Sequence, residues 1–201
     1  MRIVNHLLVE AVHCHSPNQD ERPFDISIDS IVIHNISLPP GEFGGPHISQ
    51  LFCNRLDSTD HPFFDEICHL QVSAHVLIDR TGICTQYVGF DKRAWHAGQS
   101  CYQGRQRYND FSIGVELEGT DHIEYEPVQY ERLASLTAAL MQQYPAICTE
   151  NIVGHETISP GRKTDPGPAF DWQCYMHSIR NSSNCGESVS DAGDALPNLQ
   201  Q

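Results

Sequence analysis

At 201 residues the chain is expected to form one domain, long enough to bury a core. Its 39% hydrophobic content and mean hydropathy of -0.39 are ordinary for a soluble protein. A formal net charge of -14 argues against nucleic acid as a partner, because such binding needs clustered Lys and Arg against phosphate.

The N-terminal stretch MRIVNHLLVEAVHCHS has no sustained apolar region and no small-residue cleavage site, so no signal peptide is expected. This region is expected to be weakly ordered, with His13 and His15 of its His-x-His pair non-functional. Ile31 to Asn35 is a β-branched run that predicts a buried strand with His34 near its C-terminal end. Leu38 to Pro46, rich in Pro and Gly, reads as a loop, and Ser49 to Arg55 as a short helix with Ser49 as N-cap. Val72 to Asp79 predicts a strand, and the turn Arg80-Thr81-Gly82 returns the chain through Ile83 to Val88 as a hairpin. His75 inside that strand reads as structural. Gly89 to Asp110 reads as one long loop, a length that usually carries function.

Phe111 to Glu118 alternates. Phe111, Ile113, Val115 and Leu117 share one face, and Gly114, Glu116 and Glu118 the other. Spacing alone does not choose between the two carboxylates. Pro127 opens a helix to about Tyr144, and Pro145 stops it. Pro168 starts a last helix with Trp172, Tyr175, Met176 and Ile179 inward. From Asn181 the composition predicts a disordered tail, leaving 1–180 as the folded domain. Strands and helices interleave and one hairpin is antiparallel, so the class is α/β with a central mixed sheet flanked by helices. No apolar run approaches the roughly 20 residues that span a bilayer, so no membrane association is expected. The eight cysteines include no Cys-x-x-Cys pair and read as reduced structural thiols of a cytoplasmic protein.

The segment GHETISPGRKTDPG, Gly154 to Gly167, is too polar and turn-rich for a core. In extended chain Lys163 and Asp165 leave the same face, and Pro166 biases Asp165 away from helix. His34, His155 and Asp165 are candidate ligands of one metal. Two imidazoles and a carboxylate suit Zn²⁺ with a fourth position open for water. Of 12 Lys and Arg, six lie in two segments: Lys92, Arg93, Arg105 and Arg107, then Arg162 and Lys163. Concentrated positive charge on an acidic chain suggests an anionic ligand.

VIHN, VSAHVLID, DKRAWHAG, FSIGVELEG, GH and GRKTDPG follow one another from about Ile31 to Trp172. In that order they resemble the N-acetylmuramoyl-L-alanine amidase family of zinc amidases. That family shares its fold with the peptidoglycan recognition proteins and the phage T7 lysozyme type of amidase. The resemblance implies His34, His155 and Asp165 as zinc ligands, Glu116 as the catalytic carboxylate and Lys163 as the residue that stabilises developing charge. It implies Asn35, Trp95, His96 and Arg107 as the substrate-binding region. The match is closest to the branch that releases the stem peptide from 1,6-anhydro-N-acetylmuramic acid in cell-wall recycling, an anhydromuropeptide substrate. That branch can carry a basic residue where this chain has Gln71. Activity on intact peptidoglycan in the periplasm, or binding without catalysis, are the alternatives. Completeness of the five metal and catalytic positions opposes the latter. No obligate protein partner is evident.

Overall fold

The run Ile31-Val32-Ile33 lies in an interior strand of the central sheet of the computed structural model, which describes residues 1–184. In chain order the elements begin with β1 (Ile3–Val4) and β2 (Leu7–Leu8), an antiparallel pair turned by Asn5 and His6 at φ 48° and 63°. Then come β3 (Val12–His13), β4 (Gln19–Glu21), β5 (Ser30–Ile36), α1 (His47–Phe52) and α2 (Phe64–Ile67). β6 (Val76–Ile78), β7 (Cys84–Gln86), β8 (Lys92–Ala94), β9 (Cys101–Tyr102) and β10 (Arg105–Gln106) follow. After a 3-10 turn at Tyr108–Asp110 come β11 (Ser112–Glu118), α3 (Pro127–Gln143), β12 (Ile152–Gly154), α4 (His155–Ile158) and α5 (Trp172–Asn184).

The six-stranded sheet has the order β12-β5-β11-β6-β7-β3. β12, β5, β11 and β6 run parallel, and β7 returns antiparallel to β6. The expected mixed sheet and hairpin are therefore present. All seven residues of β11 are buried, as are the first five of β5; β5 therefore reads as an apolar run, whereas β11 alternates although both its faces are covered. Ile31, Ile33, Ile113, Val115 and Leu117 face Leu133, Leu136 and Leu140 of α3 and Tyr175 and Ile179 of α5 in one core. Period 2 then turns His34, Gly114, Glu116 and Glu118 to the opposite face. α3 begins with a capping box between Glu126 and Gln129, and the Gln129 amide donates to Ile78 O (3.2 Å) and Glu118 O (3.1 Å). That ties the helix start to the ends of β6 and β11.

Several expectations are corrected. The N-terminal region is ordered, because Leu8 is fully buried, its N–H donates to Gln86 Oε1 (2.7 Å), and β3 extends the sheet edge. His13 and His15 are both exposed. The first helix starts at His47, and Ser49 is no cap, since its hydroxyl bonds Tyr87 Oη at 2.6 Å. The strand expected from Val72 shrinks to Val76–Ile78, because the His75 ring takes the Gly114 N–H (3.0 Å) just before it. The long loop at 89–110 contains β8, β9 and β10, strands of two or three residues that are too short to show alternation. The last helix starts at Trp172, with Asp171 Oδ1 accepting the Cys174 N–H at 2.9 Å. Residues 181–184 are its last turn; the rest of the expected tail lies outside the described residues. The seven described cysteines are free. Among the described residues no helix is long and apolar enough to cross a membrane.

Candidate active site

Three parallel strands, β12, β5 and β11, end at one edge of the sheet, where open α/β sheets place their ligands. In the β5–β11 register His34 stands opposite Glu116. Paired residues on neighbouring strands lie about 4.8 Å apart, so these side chains rise together from one face. On the other side Gly154 of β12 pairs with Ile33, and His155 follows immediately as the first residue of α4. Asp165 arrives from the loop after α4, where the Glu156 N–H donates to Asp165 O at 2.9 Å.

His34 Nδ1, His155 Nδ1 and Asp165 Oδ2 form a triangle with all three sides at 3.0 Å. Both histidines are buried and Asp165 is 9% exposed. His155 Nε2 lies 3.1 Å from Ala97 O, which can only accept, so that nitrogen carries the ring proton. With that proton on Nε2, Nδ1 is the ring nitrogen turned toward the carboxylate oxygen and free to act as a metal ligand. Such a donor set calls for a cation between its members. A tetrahedral zinc with ligands at about 2.0–2.1 Å puts them about 3.3 Å apart, close to this triangle. The three residues could hold a metal ion.

Burial lowers the His34 pKa to about 4, with His155 adding to the effect. Burial also opposes ionisation of Asp165, but the His155 and His34 imidazoles outweigh it and hold its carboxyl below the usual range. Burial pushes Glu116 well above the ordinary carboxylate value, and Asp165 pushes the same way, while Lys163 opposes both. Glu116 Oε2 is buried without a hydrogen-bond partner. Glu118 is differently occupied: it accepts the N–H of Gly44 (2.6 Å) and of Arg80 (3.2 Å), pinning two loops.

A cavity of about 400 Å³ opens over this cluster, with His34, Glu116, His155, Lys163 and Asp165 on its polar side. Its apolar wall comes from Leu51, Phe52, Phe63, Ile67 and Leu70, which sequence reasoning did not single out. α1 and α2 are only six and four residues long, too short to reveal a face by periodicity. Asn35, Trp95 and His96 also line the cavity. The Asn35 amide donates to Asp121 Oδ1 (2.9 Å) and Pro166 O (3.0 Å), so it also holds the ligand loop. Gln71 is exposed between the lining residues Leu70 and Val72.

Arg107 is not brought to the cavity; its guanidinium pairs with Asp110 at 3.1 Å. The basic segment as a whole is neutralised. Lys92 pairs with Glu21 (2.6 Å), Arg93 with Asp20 (2.5 Å) and Asp110 (2.6 Å), and Arg105 with Asp29 (2.9 Å). Arg162 is spent on Ala97 O (2.8 Å) and Gln99 O (2.7 Å). The concentration of positive charge seen in the sequence thus leaves Lys163 as the cation that lines the cavity.

Gly167 closes the ligand loop at φ +78°, and a Cβ there would sit 2.3 Å from Asp121 Cα. Gly167→Ala is expected to destabilise the fold by about 2–4 kcal/mol, from left-handed strain and overpacking. Urea unfolding measures it, and an unchanged midpoint would show that the loop is not held in this way.

Residues 24–168 match the N-acetylmuramoyl-L-alanine amidase family. The chain is 56% identical over 184 residues to the 1,6-anhydro-N-acetylmuramyl-L-alanine amidase AmpD of Enterobacter cloacae, covering 92% of this chain and 98% of that one. A crystal structure of an AmpD selenomethionine derivative superposes with a TM-score of 0.87 at 55% identity, covering 89% of this chain and 99% of that one. The Escherichia coli amidase AmiD, in complex with the substrate anhydro-N-acetylmuramic acid-L-Ala-D-gamma-Glu-L-Lys, gives a TM-score of 0.54 at 30% identity. That match covers 79% of this chain and 60% of AmiD. By sequence and by fold, this chain belongs to the N-acetylmuramoyl-L-alanine amidase family.

Proposed function

We propose that the chain is a zinc amidase acting on soluble anhydromuropeptides. It cuts the amide between the lactyl group of 1,6-anhydro-N-acetylmuramic acid and L-alanine of the stem peptide. The observation that carries this is the His34–His155–Asp165 triangle beside an unpartnered Glu116 on one cavity wall. The similarity to AmpD and the substrate held by AmiD support the choice of bond.

His34, His155 and Asp165 would hold the zinc. When bound, zinc supplies Lewis acidity that acidifies water and polarises the scissile carbonyl. Glu116 Oε2 takes a proton from the attacking water and returns it to the departing L-alanine nitrogen. The Lys163 ammonium offsets the negative charge that grows on the lactyl carbonyl oxygen. The apolar wall, with Trp95, offers the substrate an apolar surface, and Asn35 lines the cavity beside the ligand loop. We assign the enzyme to the cytoplasm on the reading of its cysteines as reduced thiols; peak activity in a periplasmic fraction would overturn that.

The test pairs substrates with metal removal. Chelation is expected to abolish turnover and zinc to restore it. Stem peptide is expected mainly from soluble anhydromuropeptides and little from polymeric sacculi. Full activity after chelation would remove the metal, and release mainly from sacculi would overturn the substrate.

A further inference from the structure

We infer that His96 is a positioning residue for the metal centre rather than a substrate contact. Its Nδ1 accepts the outer N–H of His34 and so presents the inner His34 nitrogen, unprotonated, to the metal. This rests on the metal-amidase reading above.

The hydrogen-bond direction is decided at the far end of a chain of groups. Tyr108 O, a carbonyl, can only accept, and the Ser112 hydroxyl donates to it at 2.5 Å. Ser112 Oγ, having spent its proton, accepts from His96 Nε2 at 3.3 Å. His96 Nδ1 is then bare, and it lies 2.9 Å from His34 Nε2, which must donate. A neutral His34 with its proton on Nε2 has a lone pair on Nδ1, the atom in the ligand triangle. The neighbouring carbonyl of Ala97 does the same for His155 through its Nε2. Residues 96 and 97 thereby set the tautomers of both imidazole ligands from outside the ligand triangle.

The ring is seated as such a role requires. Gly114 of β11 lies beneath it, and a Cβ there would stand 2.3 Å from His96 Cγ. A glycine inside a strand marks such a close approach. Asn109 Oδ1 accepts the N–H of His96 (3.2 Å) and of Ala97 (2.7 Å), fixing the backbone of both.

The test is zinc affinity by competition with a chromophoric chelator, read beside the KM and kcat of the zinc-saturated enzyme. His96→Phe keeps the ring and loses the acceptor; zinc binding is expected to weaken by about 10- to 100-fold. His96→Asn returns an acceptor near the Nδ1 position and is expected to recover most of that loss. KM at saturating zinc is expected to stay within about twofold, because the role is to orient a ligand. Ser112→Ala removes the far acceptor with little change in packing and is expected to cost about threefold in zinc affinity, the worth of one hydrogen bond. It carries the test if His96→Phe does not fold. Wild-type zinc affinity in His96→Phe or, failing its folding, in Ser112→Ala would overturn the proposal. So would a raised KM with unchanged zinc affinity, which is the mark of a substrate contact. A wild-type protein that bound no zinc would remove the metal-amidase reading as well, so the two failures are distinguishable.

Discussion

Glu116→Gln is expected to bind zinc like the wild type and to lose kcat by on the order of 10²-fold or more. Glutamine keeps the volume and the buried seat of the carboxylate in β11, so the register that holds His34 opposite position 116 is preserved. What it loses is the ability to take a proton and return it. Glu116 is suited to that exchange because its Oε2 has no partner within the protein to compete for it. Burial raises its proton affinity, and Lys163, on the same cavity wall, restrains the rise. Zinc content and KM are expected to change little while kcat collapses. Turnover at the wild-type rate would show that Glu116 is not the group that moves the proton.

Asp165→Ala and His34→Ala are expected to lose both zinc and activity. Each removes one of three donors whose atoms stand 3.0 Å apart. Removing an outer partner of a ligand already costs about 10- to 100-fold in affinity, and removing the ligand itself costs more. Asp165 contributes the negative charge as well as an oxygen. Without it a divalent ion would lose the anionic member of the three-donor set in a buried site. Metal content after gel filtration, measured beside turnover, checks both variants. Full zinc occupancy in either would remove that residue from the ligand set.

Much of the scaffold was legible. The apolar run of β5 and the alternation of β11 were plain, and α3 announced itself by Pro127, its periodic leucines and Pro145. The ribbons β9 and β10 were not legible, because two residues hold no period. The basic segment misled for a different reason. Its partners Asp20, Glu21 and Asp29 lie about 70 positions or more away in sequence from Lys92, Arg93 and Arg105, and only folding brings them together. Asn35 and Trp95 do line the cavity, whereas Arg107 stands outside its lining.

By itself the sequence determined the donor chemistry: two imidazoles, a carboxylate and a lysine in polar segments, with paired carboxylates on one strand face. Alternation with period 2 assigns a face but cannot name the neighbouring strand or separate Glu116 from Glu118. The family resemblance favours Glu116, and the tertiary structure shows how differently the two are surrounded. Parallel pairing sets Glu116 against His34, while Glu118, two residues on, meets the backbone of Gly44 and Arg80 and is consumed there. It also decided how His96 is seated, on a glycine whose missing side chain leaves room for the ring. Register and close approach arise between segments far apart in the chain, so packing settles them and local pattern does not.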